Sequence, residues 1–375
     1  MSSYLDTLPR LLVGAVSLDE AARDLRLGTP ELRRLLQRAN VDLPVLVPSS
    51  FDVARAEVEL IDLGECGFDE AFFEATIERQ LLADATRIRV SVATADLARG
   101  AAQYPEPPGA FIFHTGRCGS TLLAHSLSRA CSAVLLKEPP ILSDLAAARL
   151  RAETDEARHW VEEILEATCR YLCGAVGRSS GHPSRFIKLA AWNVGVAHVL
   201  LRCFPDTPAV FLFREPVEVV ASLLFRPPAW YPLLEHTAQG QAAFFPSTRQ
   251  EGPLGAASAA ALFAHAWRSA AEAALSLPAE RVLFLDYASL VGSPLAAIER
   301  VLRHLRQPKP SGLEVQLASV SRTYSKDASV PFDPAGQHRR PELSDIERRA
   351  VERIAGSLPA QLAERVSGVA GGAAA

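Results

Sequence analysis

From residue 110 onward the chain alternates short apolar runs with amphipathic stretches, and few folds accept that alternation. The runs at 110–114, 133–136, 185–189, 209–213 and 281–285 are short enough to read as buried strands. The stretches at 120–129, 151–174, 192–204, 216–224 and 294–305 read as helices, the last with Ser293 as its cap. Strands that are apolar throughout need cover on both faces. A helix after each strand supplies that cover and returns the chain to begin the next strand in the same direction. The expected fold class is α/β, with a central, mainly parallel sheet between helical layers.

The first hundred residues follow another pattern. Ser17 to Glu20 form a capping box that opens a short helix, and Thr29-Pro30-Glu31 opens a second one after Gly28. A helical hairpin explains this better than a DNA-reading helix-turn-helix, because Arg33, Arg34 and Arg38 suit a solvated face. A third helix is expected at 69–80 and a strand at 87–92, with a proline-rich boundary at 103–109. The expected division is a mostly helical region at 1–105, a nucleotide-binding and catalytic domain at 110–365, and a flexible tail at 366–375.

Composition narrows the partners. A formal net charge of −4 supplies no positive field for nucleic acid. The six cysteines show no paired framework, which suits reduced thiols in the cytoplasm. Cys169 and Cys173 share a helix face with no second pair beside them, so no metal is expected. The N-terminus lacks a signal-peptide pattern, and the longest apolar stretch, near 256–266, is broken by His265, so no membrane span is expected. The oligomeric state is not legible.

The chemistry concentrates where the first strand of the α/β region ends. Phe111-Ile-Phe-His-Thr-Gly-Arg-Cys-Gly-Ser-Thr-Leu-Leu123 runs from strand through loop directly into helix. Gly116 and Gly119 let the backbone turn tightly and approach a ligand. The amides of Gly119, Ser120, Thr121 and Leu122 would then face an anion from the helix start. Ser120 and Thr121 add hydroxyls, and Arg117 adds a permanent charge. A Walker A loop would need Gly-Lys-Ser/Thr where Cys118-Gly119-Ser120 stands, so ATP or GTP hydrolysis is disfavoured. A second strand-to-helix segment, Val210 to Ser222, places Arg214 at a strand's carboxyl end and Ser222 two turns into the helix.

The first loop resembles the 5′-phosphosulfate loop of sulfotransferases that use 3′-phosphoadenosine 5′-phosphosulfate (PAPS). The second segment resembles their 3′-phosphate motif, with Arg214 and Ser222 at the family's spacing. Phe204-Pro205-Asp206 and the strand carrying Tyr287-Ala-Ser-Leu290 follow in the family's order. The resemblance spans roughly residues 110 to 310 and is of the bacterial type. It implies a P-loop-like sulfotransferase fold. It also implies PAPS as co-substrate without a metal, and transfer of a sulfuryl group to a hydroxyl or amine of a small-molecule or carbohydrate acceptor. By resemblance Gly116 to Leu122 hold the 5′-phosphosulfate, with Cys118 where serine is more usual. Arg117 takes the position of the transition-state cation, and Arg214 and Ser222 hold the 3′-phosphate. Ser325 and Lys326 are candidate further contacts to that phosphate.

Glu138, directly after the second strand, is the first candidate for general base, an ion pair being the competing role. His182 is the second candidate, and Lys188 could touch the sulfuryl group. His114 and His125 flank the loop, and His198 is expected in the core. The connection at 226–250 carries Trp230, Tyr231, Phe244 and Phe245, which could either cover a partly apolar acceptor or only pack that segment down. A P-loop kinase and a non-catalytic nucleotide-sensing protein are the alternative readings.

Overall fold

A computed structural model of the chain describes residues 4–38, 46–64, 66–180, 184–251, 258–320, 323–324, 327–331 and 342–368. Two compact units emerge, one from 1–108 with 138–185, the other from 109–137 with 186–375. The first unit opens with α1 (Tyr4–Leu12), α2 (Leu18–Asp24) and α3 (Thr29–Arg38). The capping box on α2 is formed in both directions, with Ser17 accepting from the Glu20 amide and Glu20 from the Ser17 amide. Leu11, Ala21, Ala22 and Leu32 close a small apolar cluster among these helices.

A sheet follows that the sequence disclosed only in part. Strands β1 (Leu46–Asp52) and β2 (Glu57–Asp62) form an antiparallel hairpin, and after α4 (Phe73–Ala83) strand β3 (Arg89–Ala93) adds to β2. The hairpin turns without glycine. The Asp52 carboxylate accepts from the Ala54 and Arg55 amides at 2.9 and 3.1 Å, and Ala56 takes φ of 55°. Helix α5 (Thr94–Ala101) ends the stretch.

The chain then supplies β4 (Ala110–His114), α6 (Ser120–Ala130) and β5 (Ala133–Lys137) to the second unit and returns for α7 (Pro140–Arg151) and α8 (Asp155–Ser180). Sequence placed a helix at 151–174, which corresponds to α8, in the catalytic domain, and expected no helix where α7 stands. Both pack instead with the first unit. Phe51 of β1 sets its ring 6.0 Å from Trp160 and donates its amide to Asp144 of α7 at 3.1 Å. Burial pushes the Asp144 carboxyl up, and that amide partly offsets the effect.

The second unit contains a five-stranded sheet of order β5-β6-β4-β7-β8, where β6 is Ser184–Lys188, β7 Ala209–Phe213 and β8 Val282–Asp286. β4 pairs parallel with β6 and β7, and β7 with β8. Phe111, Ile112 and Phe113 of β4 and Val210, Phe211 and Leu212 of β7 are fully buried. Each such side chain contributes roughly 1.5–3 kcal/mol by burial. Helices α9 (Ala197–Cys203) and α10 (Pro216–Phe225) flank β7 in sequence. Arg281 closes the end of α9 by donating to the carbonyls of Leu201, Phe204 and Thr207, the favourable place for a cation on a helix.

The segment after α10 folds into α11 (Tyr231–Leu234), α12 (Ala238–Phe244) and a 3₁₀ turn at Pro246–Glu251 before α13 (Ala259–Leu275). Then come α14 (Tyr287–Gly292), α15 (Pro294–His304), α16 (Leu313–Val320), α17 (Asp345–Ala355) and α18 (Leu358–Gly368). Ser293 does stand at the N-cap of α15, but its side chain makes no capping bond. Residues 366–368, expected to begin a flexible tail, complete α18, and 369–375 lie outside the described residues. No described helix is long and apolar enough to cross a membrane.

Candidate active site

The strand order explains where chemistry collects. β4 lies between β6 and β7, all running one way, so their carboxyl ends share one edge. The chain leaves β4 for β5 on one side and β7 for β8 on the other, and such a reversal opens a crevice at that edge. The loop after β4, Lys188 at the end of β6 and Arg214 just after β7 all lie there.

The loop is curled by three positive backbone angles, at Gly116 (φ 78°), Arg117 (50°) and Gly119 (85°). His114 braces it, its Nδ1 accepting the Gly116 N–H at 3.0 Å. Gly119 is the N-cap of α6 and has no side chain to offer, so the first-turn amides receive no cap from it. Its missing Cβ matters too. A carbon there would lie 2.9 Å from Cδ2 of Tyr287 and 3.5 Å from a methyl of Leu290. Thus the first turn of α14 is pressed against the loop. Asp286 fixes that turn by accepting from the Ser289 amide at 2.7 Å.

Cys118 points the other way. Its side chain is fully buried and donates to the Leu212 carbonyl at 3.3 Å. Burial pushes the thiol up to about 11, against opposing pulls from Thr115, the Lys188 ammonium and the Ser120 amide. Its side chain is therefore a core contact rather than a substitute for a ligand hydroxyl. Because the thiolate is the reactive form, Cys118 should resist thiol-labelling reagents at neutral pH in the native protein and react only after denaturation. Rapid native labelling of Cys118, mapped by peptide mass, would contradict this placement.

Arg117 turns towards the second segment. Its Nε donates to the hydroxyl of Ser222 at 2.9 Å, across 105 residues of chain. Ser222 is buried on α10. Arg214 is held from three directions. Its guanidinium is ion-paired with Glu218 one turn on, and lies 4.2 Å from the centroid of the Tyr287 ring. Its carbonyl accepts from the indole N–H of Trp267 at 2.9 Å. Tyr287 therefore contacts both the loop and Arg214, a role that sequence order alone did not reveal.

Lys188 is fully buried opposite Ile112 of β4. Ser120 and Thr121 are buried in the first turn of α6. Glu138 follows β5 directly, half-buried, with φ of 59°. His125 is half-buried, and His198, expected in the core, is exposed on α9. His182, Ser325 and Lys326 lie outside the described residues. The aromatics of 226–250 pack among themselves and on α13: Trp230 is 5.4 Å from Phe245 and 5.8 Å from Phe263, and Tyr231 is 5.1 Å from Phe263. A buried bond between Ser247 Oγ and His265 Nδ1, 2.8 Å long, fastens the same segment and had no sequence signal. Among the described residues no group of His, Cys, Asp or Glu could hold a metal ion.

Residues 108–310 match the sequence model of the Sulfotransferase family. The chain belongs to that family. No curated protein matches it. Among solved structures it is similar to the sulfotransferase domain from the curacin biosynthetic pathway, at 15% identity and a TM-score of 0.39, covering 70% of this chain and 98% of that one. It is similar to a sulfotransferase from Alicyclobacillus acidocaldarius at 15% identity and a TM-score of 0.39, covering 70% and 96%. One from Mycobacterium avium shares 14% identity at a TM-score of 0.40, covering 68% and 76%. Family membership rests on the sequence match, since likenesses this slight add nothing to it.

Proposed function

We propose that this sulfotransferase moves a sulfuryl group from PAPS to a hydroxyl or amine of a small-molecule or carbohydrate acceptor, by in-line displacement. The observation that carries the proposal is the hydrogen bond from Arg117 to Ser222, which joins the two anion-binding segments into one site. In this reading the loop amides with Ser120 and Thr121 hold the 5′-phosphosulfate. Arg214 and Ser222 take the 3′-phosphate, with Ser325 and Lys326 as further partners. As the acceptor oxygen bonds to sulfur, the bond from sulfur to the bridging oxygen breaks, and negative charge builds on that oxygen. A fixed cation at Arg117 stabilises this charge more in the transition state than in the ground state. Exchange of the Ser222 hydroxyl from Arg117 to the 3′-phosphate would free the guanidinium for that task.

Glu138 is the proposed base that takes the acceptor's proton, ahead of His182, and Lys188 is a further contact to the sulfuryl oxygens. Replacing Glu138 with glutamine should lower kcat by about a hundredfold or more while leaving donor binding intact. An unchanged kcat would remove Glu138 from this role. All six cysteines are free thiols, which suits the cytoplasm as the proposed setting.

Calorimetry separates this donor from others. 3′-Phosphoadenosine 5′-phosphate should bind, and Arg214→Ala should weaken it by about ten- to a hundredfold, the worth of a charge-assisted contact. ATP should bind more weakly in the wild type and lose little in the variant. Tighter binding of ATP than of 3′-phosphoadenosine 5′-phosphate would favour a kinase or a nucleotide sensor.

A further inference from the structure

A line of aromatic rings runs through the second unit, from Trp192 to Phe244 at 5.2 Å and on through Phe245, Trp230, Phe263 and Tyr231. No sequence feature singled out Trp192. It stands on a 3₁₀ turn, Ala191–Val196, that follows β6. Just before this turn the Leu189 amide still donates to the Ile112 carbonyl of β4 at 3.0 Å. The Ala191 methyl then lies 3.3 Å from the place a Cβ would take at Gly116. Trp192 is the next residue, so the line of rings ends beside the loop. Val194 and Val196 are buried, which fixes the backbone that carries Trp192.

The two ends of the line differ. Phe245 and Phe263 are buried where the connection packs on α13. Trp192 and Phe244 are half-buried. One half-open ring is ordinary on a protein surface. These two meet at an interplanar angle of 85°, so together they form a corner with two aromatic walls. A flat ring placed there stacks on one wall and meets the other edge-on, and both arrangements are favourable. A puckered saturated ring of the same size gains the burial but not the attraction between ring quadrupoles.

We propose that Trp192, with Phe244, determines which acceptor this sulfotransferase takes: a hydroxyl borne on a flat aromatic ring. The inference rests on the reaction proposed above and leaves its bond changes as they stand. Lys188, assigned there to the sulfuryl oxygens, closes β6 one turn of chain before Trp192. An acceptor lying on Trp192 therefore presents its hydroxyl at the edge of the sheet where the sulfuryl group is to be held. The remaining rings of the line hold the connection in place.

2-Naphthol is the probe, and decahydro-2-naphthol, with the same carbon skeleton but puckered, is its counterpart. Both are titrated by ligand-observed NMR into the full-length protein saturated with 3′-phosphoadenosine 5′-phosphate. 2-Naphthol should bind about three- to tenfold more tightly than the saturated alcohol. Trp192→Leu, which keeps apolar bulk, should weaken 2-naphthol by about tenfold and remove most of that preference. Trp192→Phe should keep the preference, and Phe244→Leu should reduce it. In turnover with 2-naphthol the losses should appear in KM, with kcat within about twofold of wild type. Leu233→Ala, 74% exposed on the same connection, should change nothing. A packing role alone for Trp192 predicts equal losses for both alcohols. That result, or no preference in the wild type, or no binding of 2-naphthol, would overturn the inference while nucleotide binding stands. Failure to bind the nucleotide would instead overturn the proposed reaction, and this inference with it.

Discussion

Arg117→Ala should lower turnover by about two to three orders of magnitude while the protein stays folded and still binds the nucleotide product. The size follows from the role proposed for the guanidinium: a fixed donor aimed at charge that grows only as the sulfur–oxygen bond breaks. The folded state should tolerate the change. The bond to the Ser222 hydroxyl involves a half-buried side chain rather than a core ring, and alanine meets the same φ of 50° that arginine already accepts. Steady-state kinetics and a thermal melt test the two halves together. A drop in kcat with little change in the melt and in nucleotide affinity supports the assignment. A rate near wild type removes it. Arg117→Lys should recover only part of the loss, since an ammonium keeps the charge but not the planar fork.

Gly119→Ala should be the most damaging single-methyl change in the loop. Two costs add. A left-handed backbone at φ 85° costs about 1–2 kcal/mol for a residue with a Cβ, and crowding at 2.9 Å from the Tyr287 ring adds roughly 1–3 kcal/mol. The expected loss is roughly 2–5 kcal/mol of stability, with nucleotide binding weakened alongside it. Gly116→Ala is the internal control. It bears a similar backbone angle, 78°, but its nearest neighbour is the Ala191 methyl at 3.3 Å, so its loss should be smaller. Tyr287→Ala in the Gly119→Ala background should recover the crowding cost and leave the backbone cost. If Gly116→Ala and Gly119→Ala lose stability equally, Tyr287 is not pressed on the loop.

Much of this site was legible because parallel strands bring their carboxyl ends to one edge. Once β4 and β7 are read correctly, the loop and Arg214 have to be neighbours, and both strands were read to the residue. Other features had no local signal. The β1–β2 hairpin turns on the Asp52 carboxylate and a left-handed Ala56, without the glycine that usually betrays such a turn. The orientation of Cys118 depends on three positive angles in a row of four residues, and composition does not reveal them. Periodicity identified helix in α8 but could not say which unit its apolar face would cover. His198 lies on a helix that looks apolar in sequence, yet its side chain falls on the solvent side. Ser247 and His265 are eighteen residues apart and meet only because α11 and α12 fold the connection back onto α13.

The ring of Tyr287 has one more consequence. Its Cδ2 and Cε2 meet Gly119, and the Arg214 guanidinium lies over the same ring. The gap between the two segments proposed to hold the donor is therefore set by a side chain as well as by the spacing of β4 and β7. Strand spacing is nearly invariant among parallel sheets. A side chain can be exchanged by one codon. Position 287 is thus the place where a chain of this design could lengthen or shorten the span it offers to a doubly charged ligand without rebuilding the sheet beneath it.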